Sequence, residues 1–277
     1  MRRIFFKLGF MPPCGGGMEE KMSKDLIKWH KKSTDEQGMQ RVIVPCRDET
    51  EVLGVDRLNL EKGDEYELYD EKREMNALLI SGTVTAVIDG KLHNLEKLDS
   101  FYVPSKTAVK ITAKEKTSVY IGSAPCEGFG KSLVRKMDFT LPIGNIHQIH
   151  GEGSGQREVM FTLAPEDSAS RLICGVTWSA DGAWTSWPPH QHEKDLEEVY
   201  CYFDIKTYGL HFSYKTDESF GEAVCHEVQS GSMVEAPAGY HPTAAVPGSK
   251  NIYFWILGAR CHESRRYDLA IIDPRLV

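Results

Sequence analysis

The chain has 277 residues, and its 33 Lys and Arg against 40 Asp and Glu give a formal charge of −7. Its 41% hydrophobic and 26% charged residues exclude wholesale disorder, and its length allows one large domain or two small ones. The acidic balance argues against nucleic-acid and anionic-membrane partners, and apolar runs such as 252–257 are far shorter than the ~20 residues of a membrane-spanning helix.

The N-terminal segment is expected to lie outside the main fold. Residues 1–17 have a basic start and a short apolar stretch that two prolines interrupt, which is too short for a signal peptide. We expect a loose tail or a misassigned start there, with the folded chain beginning near Met18 or Met22. Apolar spacing then predicts one short helix over about 21–32.

The seven cysteines predict neither a disulfide framework nor a structural zinc site. Their number is odd, and no pair has the Cys-x-x-Cys spacing. Buried, reduced thiols in a cytoplasmic protein are therefore expected. The cysteines are at positions 14, 46, 126, 174, 201, 225 and 261.

From residue 40 onward the sequence is typical of an all-β protein. Short runs of β-branched and aromatic residues alternate with turn residues, and Asp89-Gly90 stands between two such runs as a two-residue hairpin turn would. Many short strands with dense turns favour a sandwich or a barrel. The main runs are 41–45, 77–88, 118–122, 158–163, 172–177, 199–203 and 251–257.

An internal similarity indicates a duplicated β domain. Segment 99–108 resembles segment 232–241, and each is a strand that ends at a proline, Pro104 or Pro237. An apolar strand precedes each segment, and a stretch rich in Gly and His lies between the halves. The expected organisation is a tail with a short helix (1–39), a first domain (40–141), a connector (142–155) and a second domain (156–277).

The second half contains a pattern that predicts a metal site. His190 and His192 are two residues apart, so on a strand both imidazoles point to the same face. Glu197 and Glu198 open the next strand, and His241 follows the strand that ends at a proline. Three imidazoles and one carboxylate suit a divalent ion such as zinc, manganese, iron or nickel.

Strand register favours Glu198 over Glu197 as the carboxylate ligand. Glu198 shares a strand face with Tyr200 and Tyr202, and a one-residue slip would reverse every side chain of that strand. Glu197 stays the alternative. In the first half Ala108 stands where His241 stands in the second, so the first domain is predicted to be metal-free.

Six runs of the sequence carry a family resemblance: GSGQREV (153–159), ASRLI (169–173), GAWTSWPPHQH (182–192), LEEVY (196–200), PAGYHPTAAVPG (237–248) and IDPRL (272–276). With these runs the sequence resembles a known family, the 5-deoxy-glucuronate isomerases of inositol breakdown. Its sister family, the 5-keto-4-deoxyuronate isomerases of pectin breakdown, shares the strand after the His pair. The resemblance implies a bicupin, two jelly-roll β-barrels in one chain, with the metal in the C-terminal barrel on His190, His192, Glu198 and His241.

The activity that the resemblance implies is metal-dependent aldose–ketose isomerisation of a deoxy-uronic acid, converting 5-deoxy-glucuronate to 2-deoxy-5-keto-gluconate. Zinc or manganese is the expected ion, with iron or nickel as alternatives. The sequence departs from the inositol group at 211–214, which lacks that family's Gln-Arg pair, and at Phe203, where a basic residue is usual. The substrate of the sister family, 5-keto-4-deoxyuronate, therefore stays an alternative. Two further alternatives for the function are a cupin metal-dependent dioxygenase and a non-catalytic sugar-binding bicupin.

This reaction needs a group that moves a proton and a cation that binds the substrate carboxylate. Arg157 and Arg171 are expected to bind the carboxylate, with salt bridges as the alternative role. The expected partner is a small anionic sugar acid, and the protein is expected to form a homo-oligomer. The candidate proton carriers are Glu197, Glu235, Tyr200, Tyr202, Tyr240 and Lys206. Tyr200, Tyr202 and Trp184 are also expected to contact the substrate, and Trp184 and Trp187 are the candidate cavity walls, with packing in the barrel core as the alternative.

Overall fold

Short antiparallel strands form almost all of the regular structure in residues 26–276, the part of the chain that the computed structural model describes. Within this part there is no α-helix, and no helix is long and apolar enough to cross a membrane. The helical turns present are 3-10 helices: η1 (Leu26–Trp29), η2 (Gly153–Gly155), η3 (Phe220–Glu222) and η4 (His262–Ser264).

The short helix predicted over 21–32 is wrong for the residues that the structure describes. One 3-10 turn, η1, leads directly into strand β1 (His30–Lys32), which pairs with residues 232–234 of the second half. Trp29 is 1% exposed in an apolar core, and pairing at the sheet edge supplies the backbone hydrogen bonds that a helix would otherwise make. The beginning of the predicted helix and the tail 1–17 lie outside the described residues.

Strands β2 to β11 form two sheets from the first half of the chain. A six-stranded sheet has the order β11-β8-β5-β10-β3-β2, and a four-stranded sheet has the order β4-β9-β6-β7. The strands are β2 (Gly38–Ile43), β3 (Gly54–Leu60), β4 (Glu65–Leu68), β5 (Arg73–Ser81), β6 (Val84–Ile88), β7 (Lys91–Leu95), β8 (Ser100–Val103), β9 (Val109–Ala113), β10 (Thr117–Pro125) and β11 (Leu133–Arg135).

The second half repeats this arrangement with a larger main sheet. Its orders are β1-β20-β17-β22-β14-β13-β12, β15-β21-β18-β19 and β16-β23. The strands are β12 (His147–His150), β13 (Arg157–Leu163), β14 (Leu172–Ser179), β15 (Trp184–Thr185), β16 (His190–Gln191), β17 (Leu196–Tyr202), β18 (Gly209–Ser213), β19 (Val224–Val228), β20 (Ser232–Ala236), β21 (Thr243–Ala245), β22 (Ile252–Ala259) and β23 (Ile271–Ile272).

Local sequence explains the tightest turn of the first half. Asp89 and Gly90 join β6 to β7 as a two-residue loop, with φ angles of 49° and 73°. Such left-handed angles at both positions are those of the type I′ hairpin that Asp-Gly favours. The predicted hairpin is therefore confirmed.

The six-stranded and seven-stranded sheets pack face to face. Their contact is an apolar cluster in which Leu53 and Tyr120 of the first half meet Val199 and Ile256 of the second. Separate apolar clusters fill the space between the two sheets within each half. The chain therefore buries three apolar layers, and the middle one joins the halves.

Buried carboxylates also cross between the halves, in both directions. Glu74 accepts hydrogen bonds from the backbone N–H groups of residues 170–172, each at 2.7 Å. In return Glu197 accepts from the N–H groups of residues 51–53 at 2.8 to 3.2 Å. Each carboxylate accepts from three consecutive N–H groups of the segment that leads into a strand of the other half, which ties the two halves together.

The cysteines follow the expectation of buried, reduced thiols only in part, since Cys174 and Cys201 are buried, Cys126 is half-buried, and Cys225 and Cys261 are exposed. Cys126, Cys174, Cys201, Cys225 and Cys261 are free thiols. Cys46 is disulfide-bonded, so the expectation of reduced thiols is wrong at that position.

Replacing Gly175 by alanine is expected to destabilise the second half. A methyl group there would lie 2.4 Å from the ring of Trp255 and 2.8 Å from the carbonyl oxygen of Met160. Because the backbone oxygen cannot move away cheaply, we expect a loss of about 1–3 kcal/mol in the free energy of unfolding, as for other overpacked cores. Urea unfolding measures it, with Gly144→Ala as the control because its new methyl group meets only open space and one atom at 3.9 Å. Equal stability of the two variants would contradict this packing.

Candidate metal centre

Three histidines and one glutamate converge inside the second half. His190 lies on β16, His192 follows it, and His241 lies just before β21. Their potential ligand atoms all lie within 4.8 Å of one another. Oε2 of Glu198, from β17, lies 3.2 Å from Nε2 of His192 and 3.1 Å from Nε2 of His241.

The backbone fixes the orientation of all three imidazoles. Nδ1 of His190 lies 3.0 Å from the carbonyl oxygen of Pro188, and Nδ1 of His192 lies 3.1 Å from that of Leu196. Nδ1 of His241 lies 3.0 Å from the carbonyl oxygen of Gly239. A carbonyl oxygen only accepts, so each Nδ1 carries a proton and donates it. In the neutral ring each Nε2 then presents its lone pair to the centre of the cluster, which is the tautomer that metal-binding histidines adopt.

The charge pattern of the cluster suits a cation. Burial, followed by the charges of His241 and His192, lowers the pKa of His190 to about 3, so this ring is neutral near pH 7. Burial alone would raise the pKa of Glu198, but the adjacent imidazoles of His192 and His241 lower it below its ordinary value. The site therefore holds an ionised carboxylate beside at least one neutral imidazole.

A divalent ion fits this donor set. Nε2 of His241 is buried and makes no hydrogen bond of good geometry, although a carboxylate oxygen lies 3.1 Å away. A lone pair that faces a carboxylate oxygen at this distance needs a positive charge between the two atoms. Three imidazole nitrogens and one carboxylate oxygen are the donors that zinc, manganese and iron take in proteins.

A second row of polar groups supports the glutamate. The hydroxyl of Tyr200 donates to Oε2 of Glu198 at 3.0 Å and lies 2.7 Å from Oγ of Ser186. The hydroxyl of Tyr202 donates to Thr243 at 3.1 Å. Glu198, Tyr200 and Tyr202 alternate along β17, so the face that sequence register assigned to them is the inner one.

Strand pairing explains why the first half lacks this cluster. Ala236, just before Pro237, pairs with Glu198, whereas Val103, just before Pro104, pairs with Met75. Met75 thus takes the position of the carboxylate and belongs to an apolar core. Methionine and the aliphatic residues around it offer no hard ligand for a divalent ion.

The structure places two of the candidate proton carriers away from the cluster. Glu197 points to the opposite face of β17, toward residues 51–53. Glu235 accepts hydrogen bonds from the backbone of Glu49 and Thr50 at 2.9 and 3.1 Å, and burial raises its pKa to about 7. Both glutamates thus serve the contact between the halves, which corrects the expectation that they handle protons in the site.

Two other candidate proton carriers, Lys206 and Tyr240, also lie away from the histidine cluster. Lys206 is exposed in the turn between β17 and β18. The ring of Tyr240 stacks on that of Tyr214 at 5.0 Å and lies under the guanidinium of Arg275, while the next residue, His241, turns inward. Neither side chain reaches the cluster.

The two arginines have different surroundings. Arg171 pairs with Glu127 and donates to the carbonyl oxygen of Arg260 at 2.9 Å, so its salt-bridge role holds. Arg157 lies at the start of β13, on the same face as the core residue Phe161, and donates to the carbonyl oxygen of Trp187 at 3.1 Å. Among the described residues no carboxylate lies within ion-pairing distance of Arg157.

Trp184 does not line the centre. It alternates with the fully buried Thr185, and its ring packs against Trp187, Phe212 and Phe220 at 4.9 to 6.2 Å on the outer face of the small sheet. Trp184 thus packs against other aromatic rings, but outside the barrel core that was the alternative to a cavity wall. Tyr253, which the sequence showed only as part of a strand, packs against Tyr200 beside the glutamate.

Comparison with known proteins gives one family over nearly the whole described chain. The model of the KduI/IolB family matches residues 27–274. A 5-deoxy-glucuronate isomerase of Geobacillus kaustophilus is 27% identical over 258 residues, covering 85% of this chain and 89% of the relative. A 4-deoxy-L-threo-5-hexosulose-uronate ketol-isomerase of Lachnoclostridium phytofermentans is 29% identical over 167 residues, covering 57% of this chain and 58% of the relative.

Solved structures agree on the fold. An IolB-like protein from Salmonella typhimurium LT2 has a TM-score of 0.73 and 26% identity, covering 84% of this chain and 93% of that one. A cupin 2 conserved barrel domain protein from Leptotrichia buccalis has a TM-score of 0.51 and 11% identity, covering 82% of this chain and 92% of that one. The second likeness concerns the fold alone, and it shows that the all-β architecture is cupin-like.

Proposed function

The chain belongs to the KduI/IolB family, and from this premise we propose that it is an aldose–ketose isomerase of a deoxy-uronic acid, with a divalent metal in its second barrel. The proposed substrate is 5-deoxy-glucuronate, because relatives with that name cover most of both chains. The observation that supports the chemistry is the convergence of His190, His192, His241 and Glu198.

The proposed architecture is a bicupin. The first barrel spans about 40–141 and is metal-free, and the second spans about 156–277 and carries the site. Two observations support it: the repeated strand before Pro104 and Pro237, and a separate apolar core inside each half. Residues 142–155 join the barrels and include the edge strand β12.

The four ligands would hold the ion while leaving positions open for the substrate. A zinc or manganese ion there would stabilise, as a Lewis acid, the negative charge that develops on the sugar oxygens when the carbon next to the carbonyl loses its proton. Three imidazoles anchored through Nδ1 keep the ligand geometry fixed without rearrangement during the reaction. Tyr200 fixes the glutamate ligand by donating to it.

Among the candidate proton carriers, the geometry favours Tyr200. Its hydroxyl lies beside Glu198 and Ser186, whereas the hydroxyl of Tyr202 is committed to Thr243 and His211. Burial, followed by the charge of Glu198, raises the pKa of Tyr200, so its phenol stays protonated and serves as a proton donor, not as the base that takes the proton from carbon. Arg157, which has no carboxylate partner among the described residues, is the proposed cation for the substrate carboxylate.

An anaerobic assay tests this function. The metal-loaded protein is incubated with 5-deoxy-glucuronate without oxygen, and the proposal expects isomer formation by NMR. In parallel, 5-keto-4-deoxyuronate tests the alternative that the ketol-isomerase relative suggests, and we expect at least about tenfold lower kcat/KM for it, equivalent to about 1.4 kcal/mol. No turnover of either uronate, together with oxygen uptake on other substrates, would reject the isomerase in favour of a cupin dioxygenase.

A cytoplasmic location and a homo-oligomeric state stay predictions of the sequence. Size-exclusion chromatography with light scattering measures the oligomeric state directly.

A further inference from the structure

The C-terminal clasp, residues 271–275, holds the strand that carries His190. It overlaps the run IDPRL (272–276), one of the six runs of the family resemblance. Strands β16 and β23 form a separate two-stranded sheet, in which Ile272 lies directly opposite His190. The next residue continues the contact, because the backbone N–H of Asp273 donates to the carbonyl oxygen of Pro189 at 2.9 Å. The position of His190 therefore depends on the clasp.

The carboxylate of Asp273 is buried and joins the clasp to a second part of the barrel. Asp273 is 1% exposed, and one of its oxygens accepts from the hydroxyl of the fully buried Tyr214 at 2.8 Å. Both oxygens accept from the guanidinium of Arg275, at 2.8 and 3.0 Å. Such paired, charge-assisted hydrogen bonds are among the strongest in proteins, so the carboxylate has one fixed orientation toward Tyr214.

Tyr214 connects Asp273 to the loop that carries His241. The backbone N–H of Tyr214 donates to the carbonyl oxygen of Tyr240 at 3.1 Å, and the N–H of Tyr240 donates in return at 2.8 Å. The two rings stack at 5.0 Å, and the guanidinium of Arg275 lies over both, 5.8 and 6.0 Å from their centroids. Asp273 and Arg275 therefore hold the residue that precedes His241.

The clasp acts next to the carbonyl groups that orient two of the imidazoles. His190 and His241 each donate from Nδ1 to the carbonyl oxygen two residues before them. The carbonyl one residue before the imidazole accepts from the backbone of Asp273 in the case of His190, and from that of Tyr214 in the case of His241. A shift of either peptide would move the acceptor that fixes the ring.

We propose that Asp273 is a positioning residue of the metal centre, which holds His190 and His241 in the arrangement that binds the ion. This inference rests on the proposed function for the presence of a metal. Removing groups that orient the ligands of a metal typically lowers metal affinity by about 10- to 100-fold. Ile271 and Ile272 are 55% and 42% exposed, so the clasp adds little to the apolar core and the barrel should fold without the Asp273 carboxylate.

Zinc binding by the full chain tests this role without turnover. The metal-free protein is titrated with zinc in competition with a chromophoric chelator. We expect the zinc Kd of Asp273→Ala to be about 10- to 100-fold higher than that of the wild type. Asp268→Ala is the matched control, because Asp268 is an exposed aspartate of the same C-terminal stretch that pairs with the exposed Arg266. Its zinc Kd should equal that of the wild type.

Two further variants separate positioning from general damage. Asp273→Asn keeps an oxygen that accepts from Tyr214 and should recover part of the zinc affinity. Tyr214→Phe keeps the stacked ring and removes the hydroxyl, so its zinc Kd should rise in the same direction. With cobalt in place of zinc, the visible absorption of Asp273→Ala should differ from that of the wild type, because the ligand geometry changes, and that of Asp268→Ala should not.

A zinc Kd for Asp273→Ala within twofold of the wild type, or no zinc binding by the wild type, overturns the inference. If Asp273→Ala does not fold, Asp273→Asn and Tyr214→Phe decide, and a wild-type zinc Kd in both overturns it equally.

Turnover distinguishes this inference from the proposed function. If the wild type isomerises no uronate but its zinc affinity depends on Asp273, the isomerase fails and the positioning role stands. If the wild type isomerises 5-deoxy-glucuronate and Asp273→Ala keeps the wild-type zinc Kd, the isomerase stands and the positioning role fails.

Discussion

Replacing His241 by alanine is expected to lower kcat/KM for the uronate substrate by about 10³-fold or more. The change removes one of three imidazoles whose ligand atoms lie within 4.8 Å of one another, and its Nε2 lies 3.1 Å from Oε2 of Glu198. With the ion lost or loosely held, the charge that develops on the sugar oxygens loses a stabilisation worth several kcal/mol. The measurement is kcat/KM together with the metal content of the purified protein, which should fall well below that of the wild type.

A matched control separates metal loss from general damage. His93→Ala removes a histidine of β7 in the first half, far along the chain from the cluster, and should leave both metal content and activity unchanged. His190→Ala should behave like His241→Ala. Full metal occupancy in both His190→Ala and His241→Ala would show that the cluster is not the metal site.

Replacing Glu74 by alanine is expected to lower the free energy of unfolding by about 4 kcal/mol. The carboxylate is fully buried and accepts from three backbone N–H groups and from the hydroxyl of Tyr102 at 2.6 Å. Its removal leaves buried donors without acceptors, each costing about 1–3 kcal/mol, partly offset by water that enters the gap. Because these donors lie at the start of β14, the contact between the halves should weaken first.

Urea unfolding measures that change. Glu67→Ala is the control, because Glu67 is an exposed glutamate on β4 of the same half, and its replacement should alter stability by less than about 0.5 kcal/mol. Similar unfolding midpoints for Glu74→Ala and Glu67→Ala would contradict the proposed role of the buried carboxylate in joining the halves.

The sequence predicted the features that depend on local periodicity. Alternation along a strand was enough to put Glu198, Tyr200 and Tyr202 on one face, and the structure agrees. The two-residue spacing of His190 and His192 similarly predicted that their rings converge. The Asp-Gly turn and the long apolar strands were also predictable from the sequence, because each is determined by residues close together in the chain.

Features that depend on distant contacts were not predictable in this way. Glu197 is adjacent in sequence to the proposed ligand Glu198. Its carboxylate oxygens nevertheless accept hydrogen bonds from backbone N–H groups about 145 residues earlier in the chain. Trp184 stands in the motif-rich stretch, yet one step of strand alternation turns it outward. No short-range pattern carries that information.

The most direct test of the central claim, a metal-dependent isomerase, is whether added metal restores turnover to the stripped protein. The protein is stripped with a chelator, supplied with increasing zinc or manganese under anaerobic conditions, and followed by NMR for conversion of 5-deoxy-glucuronate. We expect negligible isomerisation without metal and a rise that saturates near one ion per chain, absent in His241→Ala at the same metal concentration. Full isomerisation by the stripped protein, or equal restoration in His241→Ala, would contradict a metal-dependent isomerase built on this cluster.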